Sequence, residues 1–140
     1  MTITSSSPTP AVNAVAPVVD RFLAAVAAGA GIPADLYAAD VTLDATVPNW
    51  RMAMVGPEAV TDEYGRWFAD PGAFEELTRV AIPGGEVVTY LLTWHEAGVP
   101  YAAHHCHTLL VTDGRIRSDV VFCGGRWSAG LLAEMAESGS

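Results

Sequence analysis

Positive charge is scarce in this chain: seven Lys plus Arg stand against sixteen Asp plus Glu, giving a formal charge of −9 over 140 residues. Nucleic acids and anionic membranes are held by basic surfaces, so neither is an expected partner. Long apolar runs are missing as well. No segment approaches the roughly eighteen consecutive apolar residues of a membrane-spanning helix, and Met1–Pro10 has neither the basic start nor the apolar core of a secretion signal. The expected location is the cytoplasm. Cysteine is limited to Cys106 and Cys123; a bridge between adjacent strands is conceivable, but reduced thiols are expected in that compartment.

What is present is apolar. Hydrophobic residues make up 51% of the chain, and 140 residues suffice for one core closed around a ligand-sized cavity. Residues 1–10 are mostly Ser, Thr and Pro and read as a disordered tail, with a single domain over residues 11–137. Val15, Val18, Val19, Phe22, Leu23 and Val26 recur at helical spacing, which predicts a helix from Ala11 to Ala28 with Pro17 near its start and Gly29-Ala30-Gly31 as its stop. Pro33 suits a short second helix through Tyr37. A strand over Val41–Val47 bends at Pro48-Asn49-Trp50. Pro57 opens a helix whose Val60, Tyr64, Trp67 and Phe68 form one stripe, and Asp70-Pro71-Gly72 ends it.

Four strands follow, over Phe74–Ile82, Val87–Trp94, Tyr101–Thr112 and from Arg115 to Cys123, with Leu131–Met135 as a terminal helix. The Asp113-Gly114 pair favours a type I′ turn, which sets Thr112 opposite Arg115. An unbroken count then places Thr108 opposite Asp119, Cys106 opposite Val121 and His104 opposite Cys123. Alternation yields two rows. One holds His104, Cys106, Thr108, Leu110, Arg117, Asp119, Val121 and Cys123; the other holds Tyr101, Ala103, His105, His107, Leu109, Val111, Ile116, Val120 and Phe122. Both are too apolar for a wet face, so helices are expected on one and a second copy of the chain on the other. Helices, strand, helix and four antiparallel strands make a segregated α+β domain.

This order resembles the nuclear transport factor 2-like superfamily, which includes ketosteroid isomerases, SnoaL-like polyketide cyclases, limonene epoxide hydrolases and binding proteins. The phrases that carry the resemblance are Val19-Asp20-Arg21-Phe22-Leu23-Ala24-Ala25, Leu36-Tyr37-Ala38-Ala39-Asp40-Val41-Thr42, Gly56-Pro57-Glu58-Ala59-Val60 and Asp113-Gly114-Arg115-Ile116, spread over about residues 12–125. It implies a cone-shaped, curved antiparallel sheet with helices packed on one face. These phrases mark the fold more than the chemistry. The oxyanion-binding Tyr, base Asp and protonated Asp of the isomerases fall by position on Phe22, Ala45 and Thr108, so that activity is not expected. Epoxide hydrolases need an Arg-x-Asp that the strand from Val87 lacks and a last-strand Asp whose place is Val121.

The SnoaL-like class remains, whose cyclases use sheet acids and histidines to remove a proton beside a carbonyl. His104 and Asp119 are the matching residue types, and matching the last hairpin to the isomerases puts Asp119, Val121 and Cys123 on the cavity side. That selects the His104 row as pocket wall. A carboxylate that orients and charges an imidazole makes a general base near neutral pH; the plainer alternative pairs Asp119 with Arg117 or Thr108 and leaves His104 as wall. Tyr37, Trp50, Trp67, Cys106, Thr108, Val121 and Cys123 are the expected ligand contacts. His105 and His107 project to the opposite row, so neither face supplies a metal set. Cys123 opposite His104 could be a nucleophile, but no third group orients it. The expectation is cofactor-independent acid/base chemistry, of cyclase, isomerase or lyase type, on an apolar carbonyl-bearing metabolite. The alternative is a non-catalytic ligand-binding protein of the same fold, with a protein adaptor a weaker third. A homodimer through the row containing Tyr101, Leu109, Val111, Val120 and Phe122 is expected.

Overall fold

The computed structural model describes residues 8–139, with side chains from residue 14. Helix α1 (Pro8–Ala28) buries Val18, Val19, Phe22, Leu23 and Val26 along one stripe. It begins at Pro8 rather than Ala11 and contains Pro17 well inside it; the first seven residues of the expected tail lie outside the described residues. Gly29 ends the helix at φ 64°, its N–H donating to the Ala25 carbonyl at 3.3 Å. A β-carbon there would lie 2.1 Å from the Asp70 carbonyl carbon. The close of α1 therefore rests on the Asp70-Pro71 corner that follows helix α2 (Pro57–Trp67), which begins with Pro57 in its first turn as expected.

A 3-10 turn over Ala34–Leu36 takes the place of the expected second helix, and Tyr37 opens strand β1 (Tyr37–Val47). The bend at Asn49, φ 65°, is a hairpin turn into strand β2 (Trp50–Val55), which sequence reading missed. Its Trp-Arg-Met-Ala-Met-Val run has a single β-branched residue, and its position comes from pairing with β1 and from the two bonds of Arg51 to Asp44, at 2.9 and 2.7 Å. Strands β3 (Gly72–Ile82), β4 (Gly85–Glu96), β5 (Val99–Thr112) and β6 (Arg115–Cys123) follow, then a two-residue strand β7 (Trp127–Ser128) and helix α3 (Ala129–Glu137). Ser128 caps α3, accepting from the Leu131 N–H.

The sheet runs β2-β1-β6-β5-β4-β3, with β7 on β5; β1 is parallel to β6 and the other pairs are antiparallel. It is curved and does not close. The stripe of α1, Val60 and Tyr64 of α2 and the capping Phe68 that follows pack on its inner face with Val41, Leu43, Val88, Tyr90, Leu109, Ile116 and Val121. Arg79 ties this layer together, forking onto Glu86 at 2.8 and 3.0 Å and bonding Asp20 of α1. This is the α+β architecture that the element order implied.

The β5–β6 hairpin decides which residues face the core. Asp113 and Gly114 both have positive φ, 53° and 74°, and Thr112 pairs with Arg115 as a type I′ turn requires. The register then shifts: Val111 pairs with Ile116, but Leu110 pairs with Ser118. Arg117 is an extra residue, a β-bulge, and it reverses the facing of every later position of β6 relative to β5. Asp119 stands opposite Leu109 and Cys123 opposite His105, not His104. The unbroken count of two rows is corrected accordingly: His105, His107 and Leu109 share the buried face with Asp119 and Val121, while His104, Val120 and Phe122 turn outward.

Two glycine substitutions should move stability in opposite directions. Gly29→Ala forces a β-carbon into the left-handed region and into the Asp70 backbone, lowering the unfolding free energy by at least about 1–2 kcal/mol. Gly65→Ala, in the exposed last turn of α2 with nothing near its added carbon, should raise it by ~0.5–1 kcal/mol. Urea denaturation of both variants checks the pair.

Candidate functional site

Alternation along β5 sends His105 and His107 inward, between Tyr90 on β4 and Asp119 on β6. The tail of α2 lays Tyr64, Trp67 and Phe68 over them, and Phe22 of α1 meets the His107 ring edge-on at 5.2 Å. The polar groups among these rings form one connected chain. Tyr64 donates to Asp119 Oδ2 at 2.5 Å, and His107 Nδ1 lies 3.0 Å from Asp119 Oδ1. Tyr90 Oη lies 2.9 Å from His107 Nε2 and 2.8 Å from His105 Nδ1. His107 and Asp119 are wholly buried, so each needs the partner the other supplies.

Beyond His105 the interior opens into a cavity of about 300 Å³. Val47, Pro48, Trp67, Phe68, Leu92, Trp94 and Ala103 give it apolar walls, and Cys123 and Gly125 also line it. Arg66, Glu96 and Arg126 bring charge to it, with Arg126 paired to Glu96 and lying 4.0 Å over the Tyr101 ring. His105 lines this cavity, whereas Tyr64, Tyr90, His107 and Asp119 do not. It is where the buried network meets the space a ligand would occupy. Its Nδ1 is taken by Tyr90, so Nε2 is the nitrogen left to the cavity.

Burial shapes the proton affinities. His105 is pushed down to about 3, first by loss of solvent and then by repulsion from His107 and His104, so its imidazole is neutral at neutral pH. The hydroxyls of Tyr37, Tyr64 and Tyr90 are raised well above the ordinary value, chiefly by burial and next by the Asp119 charge. The Cys123 thiol is raised by burial, against a smaller opposing effect of the Gly125 N–H that donates to its sulfur. That favours thiol over thiolate. Tyr37 Oη is the one buried side-chain polar atom without a hydrogen-bond partner among the described residues.

The expected pair of His104 and Asp119 is not formed. His104 is exposed on the outer face, near Trp127, and Asp119 instead meets His107, because the bulge at Arg117 reverses the strand. The same reversal turns Cys106 and Thr108 outward, where the Thr89 hydroxyl donates to the Cys106 sulfur at 3.5 Å, and it puts the two free thiols on opposite faces. Trp50 is 69% exposed on β2 and does not line the cavity. Trp67 and Cys123 line it, whereas Val121 and Tyr37 are buried in the core and do not. Tyr64, Tyr90, His105 and His107 were not chosen from sequence as site residues. The available signal was that His105 and His107 share their row with Leu109 and Ile116, the most apolar stretch of the hairpin.

No family model matches the chain, and no curated protein matches it. Solved structures do. A nuclear transport factor 2-like protein from Anabaena variabilis superposes with a TM-score of 0.68 at 16% identity, over 89% of this chain and 95% of that one. A Bacillus subtilis protein, named provisionally as an isomerase, gives 0.67 at 16% identity over 93% and 96%. A Catenulispora acidiphila protein of ketosteroid isomerase-like fold, solved with trimethylamine, gives 0.58 at 19% identity over 89% and 94%. At such identities the likeness is one of architecture. The chain has the nuclear transport factor 2-like fold, shared with proteins of ketosteroid isomerase-like fold.

The neutral, buried His105 should make folding sensitive to acid. Between its unfolded value near 6.5 and its folded value of about 3, the unfolded chain binds a proton that the native imidazole refuses, so stability falls as pH falls. The slope from this group is at most ~1.4 kcal/mol per pH unit. Denaturant midpoints from pH 7.5 to 4 should show it, and His105→Gln should flatten it by up to one proton.

Proposed function

We propose that this protein is a cofactor-independent acid/base enzyme, of the cyclase, isomerase or lyase type found among SnoaL-like proteins. Its substrate would be an apolar, carbonyl-bearing metabolite bound in the cavity of about 300 Å³. One observation carries the reading: a single imidazole joins an apolar cavity to a buried chain of hydrogen bonds that ends on a carboxylate. Apolar walls bind the body of the substrate and exclude water, and the unoccupied Nε2 accepts a proton from the carbon beside the carbonyl. In this reading Asp119 acts through His107, and His105 takes the role expected of His104. The trimethylamine held by the Catenulispora protein supports small-molecule binding as a use of this fold.

A non-catalytic binding protein is the second reading, favoured by the low proton affinity of His105. Carbon-bound hydrogen exchange separates the two. Incubated in deuterium oxide with a panel of apolar ketones and β-keto esters, an enzyme should exchange hydrogen beside the carbonyl of at least one compound. His105→Ala should slow that exchange by about 10²–10⁴-fold. Ligands that bind and shift the Trp67 and Trp94 fluorescence without any exchange would favour the binding protein.

We further propose a homodimer through the outer sheet face. Its row is the corrected one: Phe122, 57% exposed and opposite Cys106, and Val120 opposite Thr108, with Leu109 buried inside instead. A contact of ordinary size hides about 800 Å² per partner. Light scattering should give twice the chain mass, and Phe122→Asp should return it to that of one chain.

A further inference from the structure

Tyr90 has one hydroxyl hydrogen and lies within hydrogen-bond distance of two imidazoles, at His105 Nδ1 and His107 Nε2. It can donate to one and must accept from the other. With Asp119 ionised and accepting from His107 Nδ1–H, and with His105 neutral, the pattern along the chain has two forms. If His107 is neutral, its Nε2 is bare and accepts from Tyr90; Tyr90 then accepts from His105 Nδ1–H, and His105 Nε2 is bare toward the cavity. If His107 is an imidazolium, its Nε2–H donates to Tyr90; Tyr90 then donates to a bare His105 Nδ1, and His105 carries its hydrogen on Nε2. The forms differ by one proton, and His105 is neutral in both.

Resting on the reading of His105 as the base of the cavity, we propose that His105, Tyr90 and His107 are a proton relay that stores the substrate's proton on His107, beside Asp119, rather than on the imidazole that removes it. The substrate C–H bond breaks, its electron pair stays on carbon and spreads onto the neighbouring carbonyl oxygen as an enolate, and the proton bonds to His105 Nε2. The hydrogen on His105 Nδ1 passes to the Tyr90 oxygen, and the hydroxyl hydrogen of Tyr90 passes to His107 Nε2. Positive charge ends 3.0 Å from the Asp119 carboxylate, and the reverse sequence delivers the proton to another atom of the intermediate. This resolves the apparent defect of His105 as a base, since an imidazole that resists becoming charged does not need to. Tyr90 acts through the two histidines.

Titratable and charged groups face these rings from several elements. Phe22 comes from α1, Tyr64 from α2, Tyr37 from β1, Tyr90 from β4, and Asp119 and Cys123 from β6, with exposed His104 on the far side of β5 and Arg66, Glu96 and Arg126 lining the cavity beside His105. The tyrosines and Cys123 are all raised by burial, away from the range in which an imidazole titrates.

Nitrogen-15 spectra of the imidazoles, recorded on the whole protein without substrate, test the relay directly. As pH is lowered, His107 should gain a proton and His105 should exchange its Nδ1–H tautomer for the Nε2–H tautomer, both at one apparent pKa and with His105 uncharged throughout. Tyr90→Phe should unlink them: His107 still titrates, and His105 no longer changes tautomer with it. Where an exchanging ketone is found, the same variant should lose on the order of 10²-fold in exchange rate, near the effect of His105→Ala. Independent titrations, or a His105 tautomer that stays fixed while His107 titrates, would overturn the relay. A linked switch in a protein that exchanges no carbonyl compound would leave the relay standing and overturn the enzyme reading instead.

Discussion

A carboxylate with no exposure to solvent sets the terms for the interior of this protein. Asp119 stands in the middle of the sheet's inner face, and an unpaired charge there would cost several kcal/mol. Tyr64 and His107 each give it a hydrogen bond, and those two groups come from a helix and from the neighbouring strand. The angle of α2 over the sheet, the inward facing of β5 and the bulge in β6 are therefore mutually dependent. Remove the bulge and Asp119 faces outward, leaving His107 and the Tyr64 hydroxyl buried without it.

Around this centre the chain separates two tasks. Most of the cavity wall is apolar and aromatic, which suits a ligand with little polarity, and Arg66, Glu96 and Arg126 are its charged members. The Asp119 carboxylate lies deeper, separated from the cavity by the two imidazoles and Tyr90. In a low-dielectric interior such a chain of hydrogen bonds is strong when every member is satisfied. Each donor and acceptor along it has a partner, and only Nε2 of His105 is turned to the space that a ligand would enter.

Much of the fold was legible in the sequence because its signals are local. The stripe from Val18 to Val26, Pro57 at a helix start and the Asp113-Gly114 turn each declare themselves within a few residues. Strand β2 did not, since Arg51, Met52, Ala53 and Met54 carry no strand preference and are held in place by pairing with β1. The site was half legible. Asp119 and Cys123 were set on the inner side, but the histidine chosen was one residue away from the one that lines the cavity. The cause is Arg117, an ordinary residue whose extra position in the ladder has no glycine or proline to announce it. Reading an alternating pattern outward from a turn is reliable only as far as the first bulge.

The parallel pairing of β1 with β6 has a consequence for the order in which the protein assembles. β1 leaves the ribosome early, yet its inner neighbour in the sheet is the last long strand to be made. Until β6 arrives, β1 has only the short edge strand β2, His107 has no carboxylate, and the hydroxyl of Tyr64 has nothing to bond. A nascent chain stopped before Asp119 would thus hold two helices over an incomplete sheet. Non-local closure of this kind is slow compared with helix formation. The bonds of Asp119 to Tyr64 and His107 can form only once β6 has been made, so until then those two groups stand without their partner.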